Sequence, residues 1–177
     1  MSLEVIILAA GQGTRMKSKL PKVLHPVAGR PLLEHVVQTA QQLGPAAIHV
    51  VVGHGSDNVR EALGDYPLKW VEQTEQLGTG HAVLQAMPAV AGDATVLVLY
   101  GDVPLIGAET LRSLIALAHE SPALLTARLA DASGYGRILR TAADELLGVV
   151  EEKDATAEQR EIDEINTGVM AAPAADL

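Results

Sequence analysis

The chain has 177 residues, of which 48% are hydrophobic, 20% charged and none cysteine, enough for one ordinary domain because a chain of about 150 residues buries roughly two-thirds of its unfolded surface. The lack of cysteine excludes disulfides, thiolate metal sites and a cysteine nucleophile and fits the cytoplasm, while no apolar run approaches the roughly 20 residues of a membrane span and no signal-peptide pattern opens the chain. The net charge of -9 is uneven: residues 1–30 set Arg15, Lys17, Lys19, Lys22 and Arg30 against Glu4 alone, for +4, and residues 31–177 carry -13. An acidic body repels nucleic acid, whose binding needs many phosphate contacts, whereas a concentrated basic segment suits a small anion such as a phosphorylated metabolite.

In chain order, residues 4–8 (Glu-Val-Ile-Ile-Leu) form a β-branched run closed by Gly11 and Gly13, the pattern of a buried parallel strand. Leu32, Leu33, Val36, Val37, Ala40 and Leu43 recur at helical spacing between Pro31 and Gly44. Residues 48–52 predict a second strand ending in Gly53-His54-Gly55, followed by a short helix to Leu63 that Ser56 or Asp57 can cap. A third strand is expected over 68–71, a helix from Thr79 to about Val90, and a strongly apolar strand over 95–100 that Gly101-Asp102 ends abruptly. Leu111, Leu114, Ile115 and Ala118 mark another helix and 123–129 another strand. Beyond residue 130 the alternation breaks: 137–140 and 146–150 predict an antiparallel pair, and 165–171 one more strand. The β-α-β order predicts one α/β domain over 1–177, a mainly parallel sheet with helices on both faces and a small antiparallel appendage. The chain stops soon after a strand with no closing helix, so it reads as a truncated unit.

The first strand-to-helix loop reads Leu8-Ala9-Ala10-Gly11-Gln12-Gly13-Thr14-Arg15-Met16, with Pro21-Lys22 beyond. Small residues let backbone N–H groups approach a phosphate, and Arg15 and Lys22 add positive charge. The third glycine of a dinucleotide fingerprint would fall at Met16, and no Gly-Lys-Ser/Thr follows, so both that motif and the P-loop fail. Asp102 stands at the carboxyl end of the strongly apolar strand, where open α/β sheets place ligands. The residues alone leave a Mg²⁺ ligand and a turn cap equally open for it. The 73–80 loop (Gln-Thr-Glu-Gln-Leu-Gly-Thr-Gly) offers amides and backbone groups suited to a base edge, or is an ordinary capped loop. Gly134-Tyr135-Gly136-Arg137 is either a turn with a packed tyrosine or a place where the second glycine admits a sugar. Glu151 and Asn166, at the ends of predicted strands, can bond hydroxyls or simply face water. The six histidines lack zinc-site spacing.

The pattern L-x-x-G-x-G-T-R-M-x4-P-K over residues 8–22 resembles the signature of the sugar-phosphate nucleotidyltransferases. The segments Q-T-E-Q-L-G-T-G-H-A from Gln73, Y-G-D-V-P-L from Tyr100, G-Y-G-R-I from Gly134, E-E-K-D-A from Glu151 and E-I-N-T-G from Glu164 are similar to a bacterial bifunctional branch of that family. The resemblance implies a Rossmann-like nucleotidyltransferase fold and Mg²⁺-dependent reaction of UTP with N-acetylglucosamine 1-phosphate, giving UDP-N-acetylglucosamine and pyrophosphate for cell-envelope synthesis. It implies that Leu8, Ala9, Ala10, Gly11 and Gly13 line the nucleotide and that Arg15 and Lys22 contact phosphates. Gln73, Gln76, Gly78 and Thr79 would read uracil, Tyr100 and Gly101 would flank the ribose, and Asp102 would bind the metal. Gly136, Glu151 and Asn166 would hold the sugar. A second metal ligand and a β-helix that transfers acetyl groups and trimerises the parent would lie beyond Leu177. A thymidylyl- or cytidylyltransferase, or a nucleotide-binding fragment without turnover, are the alternatives the residues leave.

Overall fold

The β-branched run near the start becomes the middle of a parallel sheet. A computed structural model of the chain describes residues 2–11, 16–18, 20–53 and 56–177, so the expectations for Gly13, Arg15, His54 and Gly55 lie outside the described residues. The chain divides into two compact units, Met1–Ala123 with Met170–Leu177, and Leu124–Val169.

In the first unit β1 (Leu3–Leu8) pairs in parallel with β4 (Ala47–Gly53) on one side and β6 (Thr95–Tyr100) on the other, and β5 (Lys69–Gln73) pairs in parallel with β4. A two-residue ladder of β2 (Pro26–Val27) and β3 (Arg30–Pro31), too short to leave a periodic signal, precedes α1 (Leu32–Gln41). Ile6, Leu8, Val51, Val96 and Val98 pack with Ala82, Val83 and Ala86 of α3 (Thr79–Ala86). Because side chains alternate along a strand, Val5 and Ile7 serve the other face, and burying apolar residues on both faces requires helices on both. α1 supplies its buried stripe of Leu33, Val36, Val37 and Ala40, and α4 (Ala108–Leu117) supplies Leu111 and Leu114.

The helix expected from Thr79 to about Val90 stops at Ala86. Pro88, which cannot donate a helical hydrogen bond, sits in a 3-10 turn over Met87–Ala89. Ser56 is the N-cap of α2 (Asp57–Ala62), but its hydroxyl makes no capping bond. Inside the sheet an acid is buried: Glu4, 5% exposed, meets the fully buried His49 on the neighbouring strand at 2.7 Å and accepts the Ala91 N–H at 3.1 Å. The fifth strand of the alternation is not the neighbour of β6. Residues 170–173 of β10 (Glu164–Pro173) lie beside β6 in antiparallel register instead.

The second unit comprises β7 (Ala123–Arg128) from Leu124 on, the hairpin of β8 (Arg137–Arg140) and β9 (Leu146–Val150), the short α5 (Ala157–Arg160), and residues 164–169 of β10. The hairpin is antiparallel with an irregularity between Leu139 and Arg140, and β10 pairs with both β7 and β8. α5 begins with a capping box, Thr156 accepting the Gln159 N–H while the Gln159 side chain accepts the Thr156 N–H. The T-x-x-Q spacing signals such a start.

Candidate nucleotide site

Parallel strands deliver their carboxyl ends to one edge of the sheet, so the loops after β1, β5 and β6 meet there. They enclose a cavity of about 290 Å³, near the lower end of the range for small-ligand pockets. Eleven residues singled out in the sequence line it: Leu8, Ala9, Ala10 and Gly11 from the first loop, Lys22, then Gln73, Gln76, Gly78 and Thr79, and finally Tyr100 and Asp102. The backbone is held in place by bonds from the loops to neighbouring strands. The Ala9 N–H donates to the Val51 carbonyl and the Gly101 N–H to the Leu8 carbonyl.

One glutamine ties the first loop to the loop after β5, and a second braces that loop from within. Gln76 donates through Nε2 to the Ala10 carbonyl at 2.8 Å, 66 residues away in sequence. Gly53 makes room for that bond, since a Cβ there would stand 3.2 Å from Gln76 Nε2 and 3.3 Å from the Ala10 oxygen. Gln73 is 3% exposed, and its Nε2 donates to the Gly78 carbonyl at 3.2 Å and lies 3.0 Å from His81 Nδ1. With its amide hydrogens directed there, Gln73 keeps its carbonyl oxygen as an acceptor. Gly78 precedes α3 at φ 106 and ψ -179, a backbone region open essentially to glycine alone, and it brings Thr79 to the cavity as the first residue of α3.

Lys22 and Asp102 meet in the lining of this cavity. Lys22 Nζ lies 2.5 Å from Asp102 Oδ2, with side chains 43% and 25% exposed. Lys22 opens a 3-10 turn whose next two residues, Val23 and Leu24, are buried, so its backbone is anchored while the ammonium stays accessible. The Asp102 carboxylate ends the apolar strand. A single part-exposed carboxylate beside a phosphate-sized hollow is the kind of oxygen donor Mg²⁺ takes together with substrate phosphates. Among the described residues no group of three or more His, Cys, Asp or Glu side chains gathers as a metal cluster.

Gly101 does not line the cavity. It is buried behind it, where a Cβ would meet Leu33 at 3.1 Å, Val23 at 3.2 Å and the Leu8 oxygen at 3.3 Å. The absence of a side chain there serves packing of the 3-10 turn and α1 against the sheet. Val23 and Ala82 line the cavity without having been singled out. Both are apolar walls with no chemical signature, although Ala82 lies three residues after Thr79 and so shares its helix face. His81, one of the histidines without zinc-site spacing, meets Gln73 only in three dimensions.

Within the second unit Gly136, Glu151 and Asn166 stand together. The Asn166 N–H donates to the Gly136 carbonyl at 2.8 Å, and a Cβ on Gly136 would fall 3.4 Å from Glu151 Oε1 and 3.2 Å from Val149 Cγ1. Asn166 Oδ1 accepts the Gly168 N–H at 2.9 Å. The expected turn is present, the Tyr135 N–H donating to the Ala132 carbonyl at 3.2 Å, but the tyrosine itself is 47% exposed.

Residues 5–167 match the model of the MobA-like NTP transferase domain, and the chain belongs to that family. Among curated proteins it is similar to the bifunctional protein GlmU of Azotobacter vinelandii, 61% identical over 178 residues, and to that of Pseudomonas entomophila, 59% identical over 178 residues. Each alignment takes in 100% of this chain and 39% of the relative, so the chain spans about two-fifths of their length. Among solved structures it superposes on a UDP-glucose pyrophosphorylase complexed with UDP-glucose at a TM-score of 0.76, with 19% identity over 98% of this chain and 76% of that one. HddC from Yersinia pseudotuberculosis, complexed with GMP-PN, gives a TM-score of 0.73 with 21% identity, covering 98% of this chain and 77% of that one. At such identities these two establish the fold.

Proposed function

We propose that the chain catalyses transfer of a uridylyl group from UTP to N-acetylglucosamine 1-phosphate, releasing pyrophosphate and forming UDP-N-acetylglucosamine. The observation that carries this reading is the pairing of Lys22 with Asp102 at 2.5 Å on a cavity whose floor is the small-residue loop after β1. A cation and a carboxylate so placed suit a ligand that brings both phosphates and a divalent metal. The signature over residues 8–22 and the high identity to GlmU relatives point to the same chemistry.

No protein nucleophile is required. An oxygen of the sugar phosphate attacks the α-phosphorus of UTP in line; a new P–O bond forms as the bond to the bridging oxygen of the β-phosphate breaks, and its electron pair leaves with pyrophosphate. Catalysis is then positioning and charge neutralisation. The ammonium of Lys22 turns from Asp102 toward the α-phosphate and stabilises the charge that develops there. Arg15 is assigned to the leaving pyrophosphate by the family pattern. Asp102 would hold Mg²⁺, which when bound supplies charge neutralisation to the phosphates. The carbonyl oxygen of Gln73 is an acceptor that suits the N3–H of uracil, which cytosine lacks. The sugar is assigned to Gly136, Glu151 and Asn166 by the same resemblance.

The test is pyrophosphate release by the full-length protein carrying this chain, with UTP, CTP and dTTP each offered against several sugar 1-phosphates in the presence of Mg²⁺. Turnover restricted to UTP with N-acetylglucosamine 1-phosphate is expected. Equal or faster turnover with CTP refutes the uracil reading. UTP binding without any release, by calorimetry beside the same assay, refutes catalysis.

A further inference from the structure

Arg137 is charged, yet its side chain is 3% exposed, and the reaction proposed above gives it no role. Removing a guanidinium from water is unfavourable unless its donors find partners, and here they find four. Nε donates to the Ile162 carbonyl at 3.0 Å and Nη2 to the Arg160 carbonyl at 3.3 Å. Nη1 donates to the Tyr135 carbonyl and to Glu152 Oε2, the latter at 2.7 Å. That same carboxylate oxygen accepts the Gly134 N–H at 3.3 Å. The Arg137 hydrogen bond holds the Glu152 carboxyl below the ordinary carboxylate range.

These partners belong to three segments, two of which adjoin a residue assigned to the sugar and the third of which leads to one. Tyr135 precedes Gly136, Glu152 follows Glu151, and residues 160–162 lead into β10, whose Ile165 registers opposite Arg137 and whose Asn166 donates to the Gly136 carbonyl. Clearances are small, since a methyl on Gly136 would come within 3.4 Å of Glu151 Oε1. A planar guanidinium can engage acceptors on all three segments in one fixed arrangement, which a single ammonium cannot.

We infer that Arg137 is the positioning residue of the sugar subsite: it touches no substrate, but locks the turn carrying Gly136, the segment after β9 carrying Glu151 and the approach to Asn166 into the geometry that receives a sugar. This rests on the assignment of those three residues to the sugar. The experiment titrates UDP and UDP-N-acetylglucosamine calorimetrically into the full-length protein and into its Arg137→Lys and Glu152→Gln variants. Wild type is expected to bind the UDP-sugar more tightly than UDP by about tenfold or more, the scale of a few hydrogen bonds to hydroxyls. Both variants should keep their UDP affinity and lose most of that sugar increment. An unchanged increment in a folded variant overturns the inference, and so does a parallel fall in UDP affinity, which would mark a general loss of structure. Should Arg137→Lys fail to fold, Glu152→Gln decides through the one link it weakens, that between Arg137 and the segment carrying Glu151, because it leaves the three carbonyl bonds that hold the rest of the fold. A wild type with no sugar increment instead refutes the sugar-subsite assignment, and the positioning role falls with it.

Discussion

Replacing Lys22 with alanine separates catalysis from stability. The Lys22–Asp102 pair is close, at 2.5 Å, but its side chains are 43% and 25% exposed. Ion pairs of that kind contribute about 0.2–1 kcal/mol to folding, and for a chain of this length 1 kcal/mol shifts the melting temperature by about 2–4 °C. Val23 and Leu24, the apolar anchors of the turn, are untouched. Loss of one preorganised positive group facing transition-state charge costs about 3–4 kcal/mol, or roughly 10²–10³ in kcat. Pyrophosphate release by the Lys22→Ala variant of the full-length protein should therefore fall by that factor while its thermal melt moves only a few degrees. A kcat within about threefold of wild type refutes the role of the ammonium. A melt lowered by 10 °C or more, with UTP binding lost, would show instead that the pair is structural.

Three further outcomes follow from the geometry. Glu164 accepts from Arg140 through both oxygens at 2.7 and 2.8 Å, and this bidentate pairing lowers its carboxyl from 4.5 to about 2. Because the folded value lies below the unfolded one, the stabilisation is complete above about pH 4.5 and disappears as pH falls toward 2; melting curves of Glu164→Gln should be flatter than wild type in that window, and identical pH slopes would count against it. Burial pushes the Glu4 carboxyl up, but the His49 hydrogen bond, the Ala91 N–H and Lys69 outweigh it and hold it below its ordinary value; Glu4→Ala should cost about 3 kcal/mol in urea unfolding, because His49 loses its partner inside the sheet, and a loss under about 1 kcal/mol would be evidence of a water replacing the carboxylate. Gly78→Ala imposes a side chain at φ 106, at a cost of about 1–3 kcal/mol; UTP affinity measured by calorimetry should drop as Thr79 and the Gln73 contact shift, and an unaltered affinity would show that this turn does not shape the cavity.

The parallel half of the fold was legible because its strands are nearly continuous apolar runs. Buried on both faces, Leu3–Leu8 and Thr95–Tyr100 have no polar alternation to confuse. α1 announced itself by period and by its flanking Pro31 and Gly44. Where the reading missed, the cause was competition between local and distant terms. Pro88 ended α3 early against a helical composition. Residues 170–173 took the place beside β6 because strand partners are chosen by long-range burial, which local pattern does not record. Most of the cavity lining was named from the sequence because phosphate- and base-facing loops need residue types, small, amide or charged, that stand out beside apolar strands. Gly101 stood out for the same reason, yet its missing side chain answers a packing need with Leu33 and Val23.

By itself the sequence determined where the chain is extended, where it is helical and which loops carry unusual chemistry, since backbone preference and burial period are written in adjacent residues. Only the tertiary structure decided that Lys22 reaches Asp102 across 80 positions, that Gln76 closes on the Ala10 carbonyl and that Arg137 gathers three segments. Such contacts depend on which strands lie side by side and how far each loop projects. Those are properties of the packed chain as a whole, in which a hydrogen bond of three ångströms joins residues that local sequence leaves unrelated.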